Sequence, residues 1–211
     1  NFIFNIWTLF IYTVTGDTRF DTVISNKQKP KQIPLISNFC NKQKTIICGS
    51  TWPEDEKIII KYIKENSEYK YIIAPHEMGL VSRLKKQTEG ILYSELRKNK
   101  SKKSNVLIID EIGILSSIYK YGHIAYIGGG FGKGIHNILE AVVFGLPVIF
   151  GPNYKKFNEA NELIKLKTAI SIKNLGELKN AIDSFTEYNE EVAEKYIKEN
   201  TGSVKKVISR I

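Results

Sequence analysis

The chain has 211 residues, 42% of them hydrophobic, and its 31 lysines and arginines outnumber its 22 aspartates and glutamates to give a net charge of +9. That is enough chain for one large α/β domain, with or without attachments, and an ordinary apolar content for a real core. Two cysteines, Cys40 and Cys48, exclude a disulfide framework, no apolar run reaches the roughly 18–20 residues of a membrane span, and the basic balance favours anionic partners such as nucleotides, acidic lipid surfaces or nucleic acid.

In chain order, Phe2 to Val14 is strongly apolar but short, and no basic region precedes it as one would in a signal peptide. Ile11 to Val14 reads as a strand closed by Thr15-Gly16-Asp17, with the lead-in expected to lie against another domain. Met78 is the only methionine, so a processed form or a piece of a longer protein is expected. Thr22 to about Ile33, with Lys27, Lys29, Pro30 and Lys31, reads as a linker. Thr45 to Cys48 is a short apolar strand ending at Gly49. Thr51 and Glu54 fit a capping box, Pro53 suits a first helical turn, and Glu54, Asp55 and Glu56 favour the positive helix start. Ile58, Ile59, Tyr62 and Ile63 give that helix its apolar face.

Tyr71 to Ala74 is the next strand, followed by Pro75-His76-Glu77 and a helix through Val81 and Leu84. Ile91 to Tyr93 and Val106 to Ile109 are strands separated by a lysine-rich loop. Ile112 to Tyr119 is a short helix, Ile124 to Ile127 a strand, Asn137 to Phe144 a helix and Pro147 to Phe150 a strand ending at Gly151-Pro152. Phe157 to Lys165 is helical, Ala169 to Ile172 is the last strand, and the remainder is largely helical. Short apolar strands alternating with helices predict a parallel sheet covered on both faces, with no internal repeat.

The glycine-rich run Gly128-Gly129-Gly130-Phe131-Gly132-Lys133-Gly134 between a strand and a helix is the strongest chemical signal. Glycines let backbone N–H groups approach a ligand, and a helix start adds unpaired N–H groups and partial positive charge, which together suit phosphate. Glu140, about one turn into that helix, is placed to accept from a sugar's hydroxyl pair. The plainer alternative is a tight turn whose glycines serve packing alone. The dinucleotide fingerprint fails because Lys133 or Ile135 stands where its last glycine belongs, and a Walker A loop fails because Gly134 follows Lys133. In this fold class ligands bind beyond the carboxyl ends of the strands. Ser50-Thr51, Pro75-His76-Glu77, Asp110-Glu111, residues 128–140 and Gly151-Pro152 all fall there.

Gly49-Ser50-Thr51-Trp52-Pro53-Glu54-Asp55-Glu56, Ala74-Pro75-His76-Glu77, Asp110-Glu111-Ile112-Gly113, the Gly128–Glu140 segment and Pro147 to Pro152 resemble, in order, the C-terminal half of the Kdo transferases. That bacterial family attaches 3-deoxy-D-manno-oct-2-ulosonic acid (Kdo) to a lipid A precursor. Val14 to Asp21 resembles the segment where the family's N-terminal domain ends. The resemblance implies the C-terminal half of a glycosyltransferase B fold, a Rossmann-like parallel sheet with helices on both faces. It divides the chain into residues 1–21, the end of an N-terminal acceptor domain; residues 22–43, a linker and lead-in helix; and residues 44–211, a CMP-Kdo-binding domain with C-terminal helices.

The resemblance further implies donor contacts at Pro75 and His76, at Ile112, Gly113 and Ile114, and at Asn137, Ile138, Leu139 and Glu140. At the second of these places relatives can carry Glu where this chain has Ile114. The phosphate falls to the N–H groups of Gly129, Gly130 and the helix start at Asn137, a mobile counter-charge to Lys133, the ribose to Glu140, and the cytosine to Ile112–Ile114. His136 joins the donor site as well. No metal or other cofactor is implied, no Asp-x-Asp motif is present, and helix dipole and lysine would stabilise the leaving CMP. The catalytic base belongs to the N-terminal domain, so this chain alone is expected to be inactive. The implied setting is lipopolysaccharide synthesis at the cytoplasmic face of the inner membrane, with peripheral membrane contact, lipid A precursor bound through the N-terminal domain, and no nucleic acid. This chain by itself is expected to be soluble.

Blander roles stand beside these. His76 would cap the following helix, His136 would orient the glycine turn without touching ligand, His123 is structural, and Trp52 beside Pro53 is packing. Lys98, Lys100, Lys102 and Lys103 form a solvated loop, or else a contact with an anionic membrane. The competing functions are another nucleotide-sugar transferase or epimerase of the same fold, and a non-enzymatic nucleotide- or nucleic-acid-binding module.

Overall fold

The computed structural model describes residues 16–98, 103–185 and 188–209. The apolar stretch Phe2–Val14, its expected strand, and Lys100 and Lys102 lie outside the described residues. Among the described residues, seven parallel strands form one sheet: β1 (Thr45–Thr51), β2 (Lys70–Pro75), β3 (Ile91–Leu92), β4 (Val106–Ile108), β5 (Ile124–Ile127), β6 (Val148–Phe150) and β7 (Ala169–Ser171). Their spatial order is β3-β4-β2-β1-β5-β6-β7. β1 starts in the middle; β2 lies beside it, β3 takes the edge on that side and β4 fills the place between them, while β5 to β7 build outward on the other side.

Both faces of the sheet are covered, which is why its central strands read as unbroken apolar runs. Ile46 and Cys48 of β1 and Tyr71 and Ile73 of β2 face one layer, where they meet Ile59 and Tyr62 of α3 (Pro53–Glu65), Leu84 of α4 (Val81–Thr88) and Leu178 of α9 (Leu175–Ser184). The alternate residues Ile47, Ile72 and Ala125 face the other layer. There they meet Phe20 of α1 (Thr18–Gln28), Ile36 of α2 (Pro34–Cys40), Ile118 of α6 (Leu115–Ile118), Val142 of α7 (Leu139–Val142) and Ala193 of α10 (Glu190–Glu199). The remaining helices are α5 (Tyr93–Lys98), α8 (Asn158–Lys165) and α11 (Ser203–Ile208).

The strand positions agree with the sequence expectations; several other elements do not. The linker expected from Thr22 is helix α1 as far as Gln28. Asp17 caps it by accepting the Arg19 N–H at 2.8 Å, and Phe20 and Val23, three apart, form its narrow apolar stripe. One of the lysines that suggested a linker, Lys27, makes an ion pair with Glu194 at 2.9 Å. Residues 16–21, expected to close an upstream domain, pack on this one. Arg19 meets Glu159 at 2.7 Å, Phe20 meets the Tyr196 ring at 5.6 Å, and Asp21 accepts the N–H of Gly202 at 2.8 Å. The lysine-rich connection between β3 and β4 begins with α5, capped by Asp110, which accepts the Ser94 N–H at 2.9 Å.

Candidate functional site

β1 and β5 are neighbours in the sheet although three strands separate them in sequence. The chain departs from this pair in opposite directions, so the topological switch point falls between them, the place where α/β folds of this kind form the crevice that takes their ligands. One wall is the β1–α3 junction, Ser50 to Asp55. The other is the turn Gly128 to Asn137 after β5. His76, following β2, closes one end.

The glycines have firm packing reasons. A Cβ on Gly128 would lie 2.1 Å from the Ser50 carbonyl oxygen, and one on Gly130 would lie 2.5 Å from the Gly151 nitrogen. Gly129 has φ +91°, a conformation that favours glycine. The turn is closed on itself: the Gly129 carbonyl accepts from Gly132 and Gly134 at 3.0 and 3.2 Å, and His136 N–H returns to the Gly128 carbonyl at 3.1 Å.

The capping arrangement lies one residue later than the Thr51/Glu54 pair suggested. Trp52 is the residue before α3, Pro53 opens the helix, and Asp55 accepts the Trp52 N–H at 2.9 Å. The same carboxylate oxygen accepts the Gly129 N–H at 2.8 Å, and the other accepts the Tyr126 hydroxyl at 2.8 Å. Asp55 is fully buried, and burial raises its pKa against the lowering pull of these three hydrogen bonds. Gly129 therefore cannot offer its N–H to a phosphate as expected; a buried carboxylate already holds it. The neighbouring Glu56 is buried too, accepting the Thr51 hydroxyl at 3.2 Å and paired with Arg83.

Three aromatic rings converge at the mouth. Trp52 stacks on His76 with centroids 4.4 Å apart, His76 lies 4.6 Å from His136, and the indole Nε1–H donates to His136 Nε2 at 3.0 Å. His136 is thus bound to the opposite wall, and burial together with the nearby His76 lowers its pKa from 6.5. Trp52, expected to be packing, stacks on His76, and His76 does not cap the following helix, whose preceding residue is Glu77.

The other expected residues divide by burial. Pro75 is buried at the end of β2. Ile112 is 82% exposed at the tip after β4, and Gly113 beside it has φ +87°. Ile114 is buried in the core, and its carbonyl accepts from Ser117 and Ile118, so its side chain does not frame a base. Ile138 and Leu139 are wholly buried, leaving only their backbone for a ligand. The helix expected from Asn137 starts at Leu139 and lasts one turn; Asn137 Oδ1 accepts the Leu139 N–H at 3.2 Å. Gly130 is buried, and Lys133 is exposed, its carbonyl held by Lys156 Nζ at 2.9 Å. Glu140 is half-buried, Asn137 Nδ2 lies 3.4 Å from its Oε1, and burial raises its pKa. From β4 to β5 the edge spans three strand spacings, about 14 Å, so the Ile112 tip and the glycine turn would serve the two ends of an extended ligand.

Among the described residues no group of three or more His, Cys, Asp or Glu side chains could hold a metal ion, and no helix is long and apolar enough to cross a membrane. His123 is structural, its Nδ1 accepting the Thr45 N–H at 3.2 Å. Asp55 and Tyr126 were missed by the sequence reading. The available signal was a tyrosine in an otherwise aliphatic buried strand, because a buried phenol calls for a partner.

No family model matches the chain. The chain is related to the 3-deoxy-D-manno-octulosonic acid transferases. It is 29% identical over 202 residues to that of Rickettsia typhi, covering 88% of this chain and 42% of the relative. It is 30% identical over 171 residues to that of Aquifex aeolicus, covering 78% and 46%. It therefore spans less than half the length of these curated relatives. Its fold is similar to the C-terminal CMP-Kdo binding domain of WaaA from Acinetobacter baumannii, with TM-score 0.61, 16% identity, and 90% and 97% of the two chains covered. The seven-stranded sheet is the Rossmann-like C-terminal half of a glycosyltransferase B fold.

Proposed function

We propose that this chain is the donor-binding part of a Kdo transferase and holds CMP-Kdo in the crevice between β1 and β5. The observation that carries the reading is the crevice itself: a glycine turn at the switch point, joined through His136 to Trp52 on the opposite wall, in a chain related to Kdo transferases over most of its length. Those amides of the turn that its internal hydrogen bonds leave uncommitted, with Lys133, receive the phosphate and the acidic sugar. Glu140 takes the ribose hydroxyls, and the exposed Ile112–Gly113 tip offers apolar surface and backbone to the base. No metal takes part; backbone dipoles and lysine stabilise the leaving nucleotide.

Lipid A precursor and the base that activates its hydroxyl belong to an upstream domain, and the full enzyme works at the cytoplasmic face of the inner membrane in lipopolysaccharide synthesis. The positive net charge supports contact with that anionic surface. The test is ligand protection of the chain. CMP raises its melting temperature more than UMP or AMP at equal concentration; equal shifts for all three, or none, would remove the cytidine assignment.

A further inference from the structure

The two walls of the crevice come from distant parts of the sequence, and one buried side chain touches both. Asp55 accepts the Trp52 N–H three residues back, as a first-turn cap does. Its other two donors, the Tyr126 hydroxyl and the Gly129 N–H, lie 71 and 74 residues away on β5 and the glycine turn. Capping α3 needs only the first of these. The other two tie the turn after β5 to the start of α3, and across the same gap the Trp52 indole meets His136 at 3.0 Å. The indole reaches that nitrogen only if the two walls are held in register.

We propose that Asp55 is the positioning residue of the nucleotide crevice: by holding the Gly129 and Trp52 amides on one carboxylate oxygen it sets the gap between the walls and aims His136 and the remaining turn amides at an anionic ligand. This deepens the reading of the crevice as a cytidine-nucleotide site and rests on it. The Gly129 amide is then committed to protein whether or not ligand is present. An asparagine would keep the arrangement, its carbonyl oxygen accepting both amides and its NH2 donating to the Tyr126 oxygen. An alanine would release both walls.

Amide hydrogen exchange and CMP titration of the 211-residue chain test this. The Gly129 amide is expected to be protected before CMP is added and to stay so afterwards. Asp55→Ala is expected to lose that protection, to lose the indole N–H shift of a Trp52 bonded to imidazole, and to bind CMP about tenfold or more weakly. Asp55→Asn is expected to restore all three. Fast exchange at Gly129 in the wild-type chain overturns the proposal. So does a folded Asp55→Ala that binds CMP normally, or an asparagine variant as impaired as alanine. If Asp55→Ala does not fold, wild-type exchange and the asparagine variant decide. Absence of CMP binding by the wild-type chain removes the nucleotide reading, whereas exchange at Gly129 judges the clamp independently.

Discussion

Trp52 donates its indole N–H to His136 Nε2 at 3.0 Å, and an indole nitrogen can only donate. His136 therefore presents a lone pair at Nε2 and carries its proton on Nδ1. The neutral ring is consistent with its lowered pKa, for which burial is the main cause and His76 the second.

That relationship sets a pH dependence. His123 also has a lowered pKa, from burial and Lys44, while its Nδ1 accepts a backbone amide. When the folded pKa lies below the unfolded one, the unfolded chain takes up the proton first as pH falls. The stability tied to these rings is fully present above about pH 6.5 and is lost as pH drops from there through the folded pKa. Asp55, Glu56 and Glu140, with raised pKa values, act in the opposite sense as they protonate. Comparison with a His123→Asn/His136→Asn variant isolates the imidazoles. Between pH 7.5 and 5.5 the wild-type melting temperature should fall more than the variant's; parallel curves would show that both rings titrate alike in the folded and unfolded chain.

The glycines of the turn separate by what a methyl group would meet. Gly128→Ala drives a Cβ into the Ser50 carbonyl oxygen, 2.1 Å away, with backbone on both sides of the clash. Overpacking of this kind costs about 1–3 kcal/mol or more. Gly132 sits in the same turn with its nearest neighbour 3.7 Å from a built Cβ. Gly132→Ala should therefore stay within about 0.5 kcal/mol of wild type. Urea unfolding measures both, and equal losses would mean that the β1–β5 approach is not what Gly128 serves.

Glu140 supports a prediction with opposite signs for binding and stability. Its carboxylate is half-buried, and the hydrogen bond it accepts from Asn137 is long at 3.4 Å. It retains acceptor capacity for a ribose diol, and a hydrogen bond to a charged group contributes about 1.5–3 kcal/mol. Glu140→Ala should weaken CMP binding about tenfold or more with the fold intact. Glu140→Gln, which removes a desolvated charge, should leave the melting temperature at pH 7 unchanged or higher. Unaltered CMP affinity in both variants would assign Glu140 to structure alone.

The sheet was legible because burial on both faces forces apolar runs, and strands such as Ile124–Ile127 and Val148–Phe150 carry little else. Helix α1 was not, since a helix buried along one narrow stripe is mostly polar, and Thr22 to Lys31 shows more solvent than core. In the site, the glycines and His136 stood out locally. The Asp55–Tyr126–Gly129 cluster did not, because Asp55 lies 71 and 74 residues from its two partners and each alone looks ordinary. For Ile114 and Leu139 the resemblance supplied positions along the chain and not the direction of a side chain; both side chains turn into the core, which leaves their backbone as the part open to a ligand.

The carboxylates at the ligand edge bear on whether the chain can catalyse transfer alone. A base must meet the acceptor hydroxyl with the acceptor held in line. Asp55 and Glu56 are buried and hydrogen-bonded, Asp110 is held by Ser94, and Glu111 is paired with Arg97. Glu54 and Glu77 are exposed on this edge. Purified chain incubated with CMP-Kdo and lipid A precursor should give no product above background. Joining an upstream acceptor domain in the same polypeptide should restore transfer, and Glu77→Gln in that longer protein should leave the rate unchanged. Product from the 211-residue chain, abolished by Glu77→Gln, would place the base on this domain and overturn the division of labour.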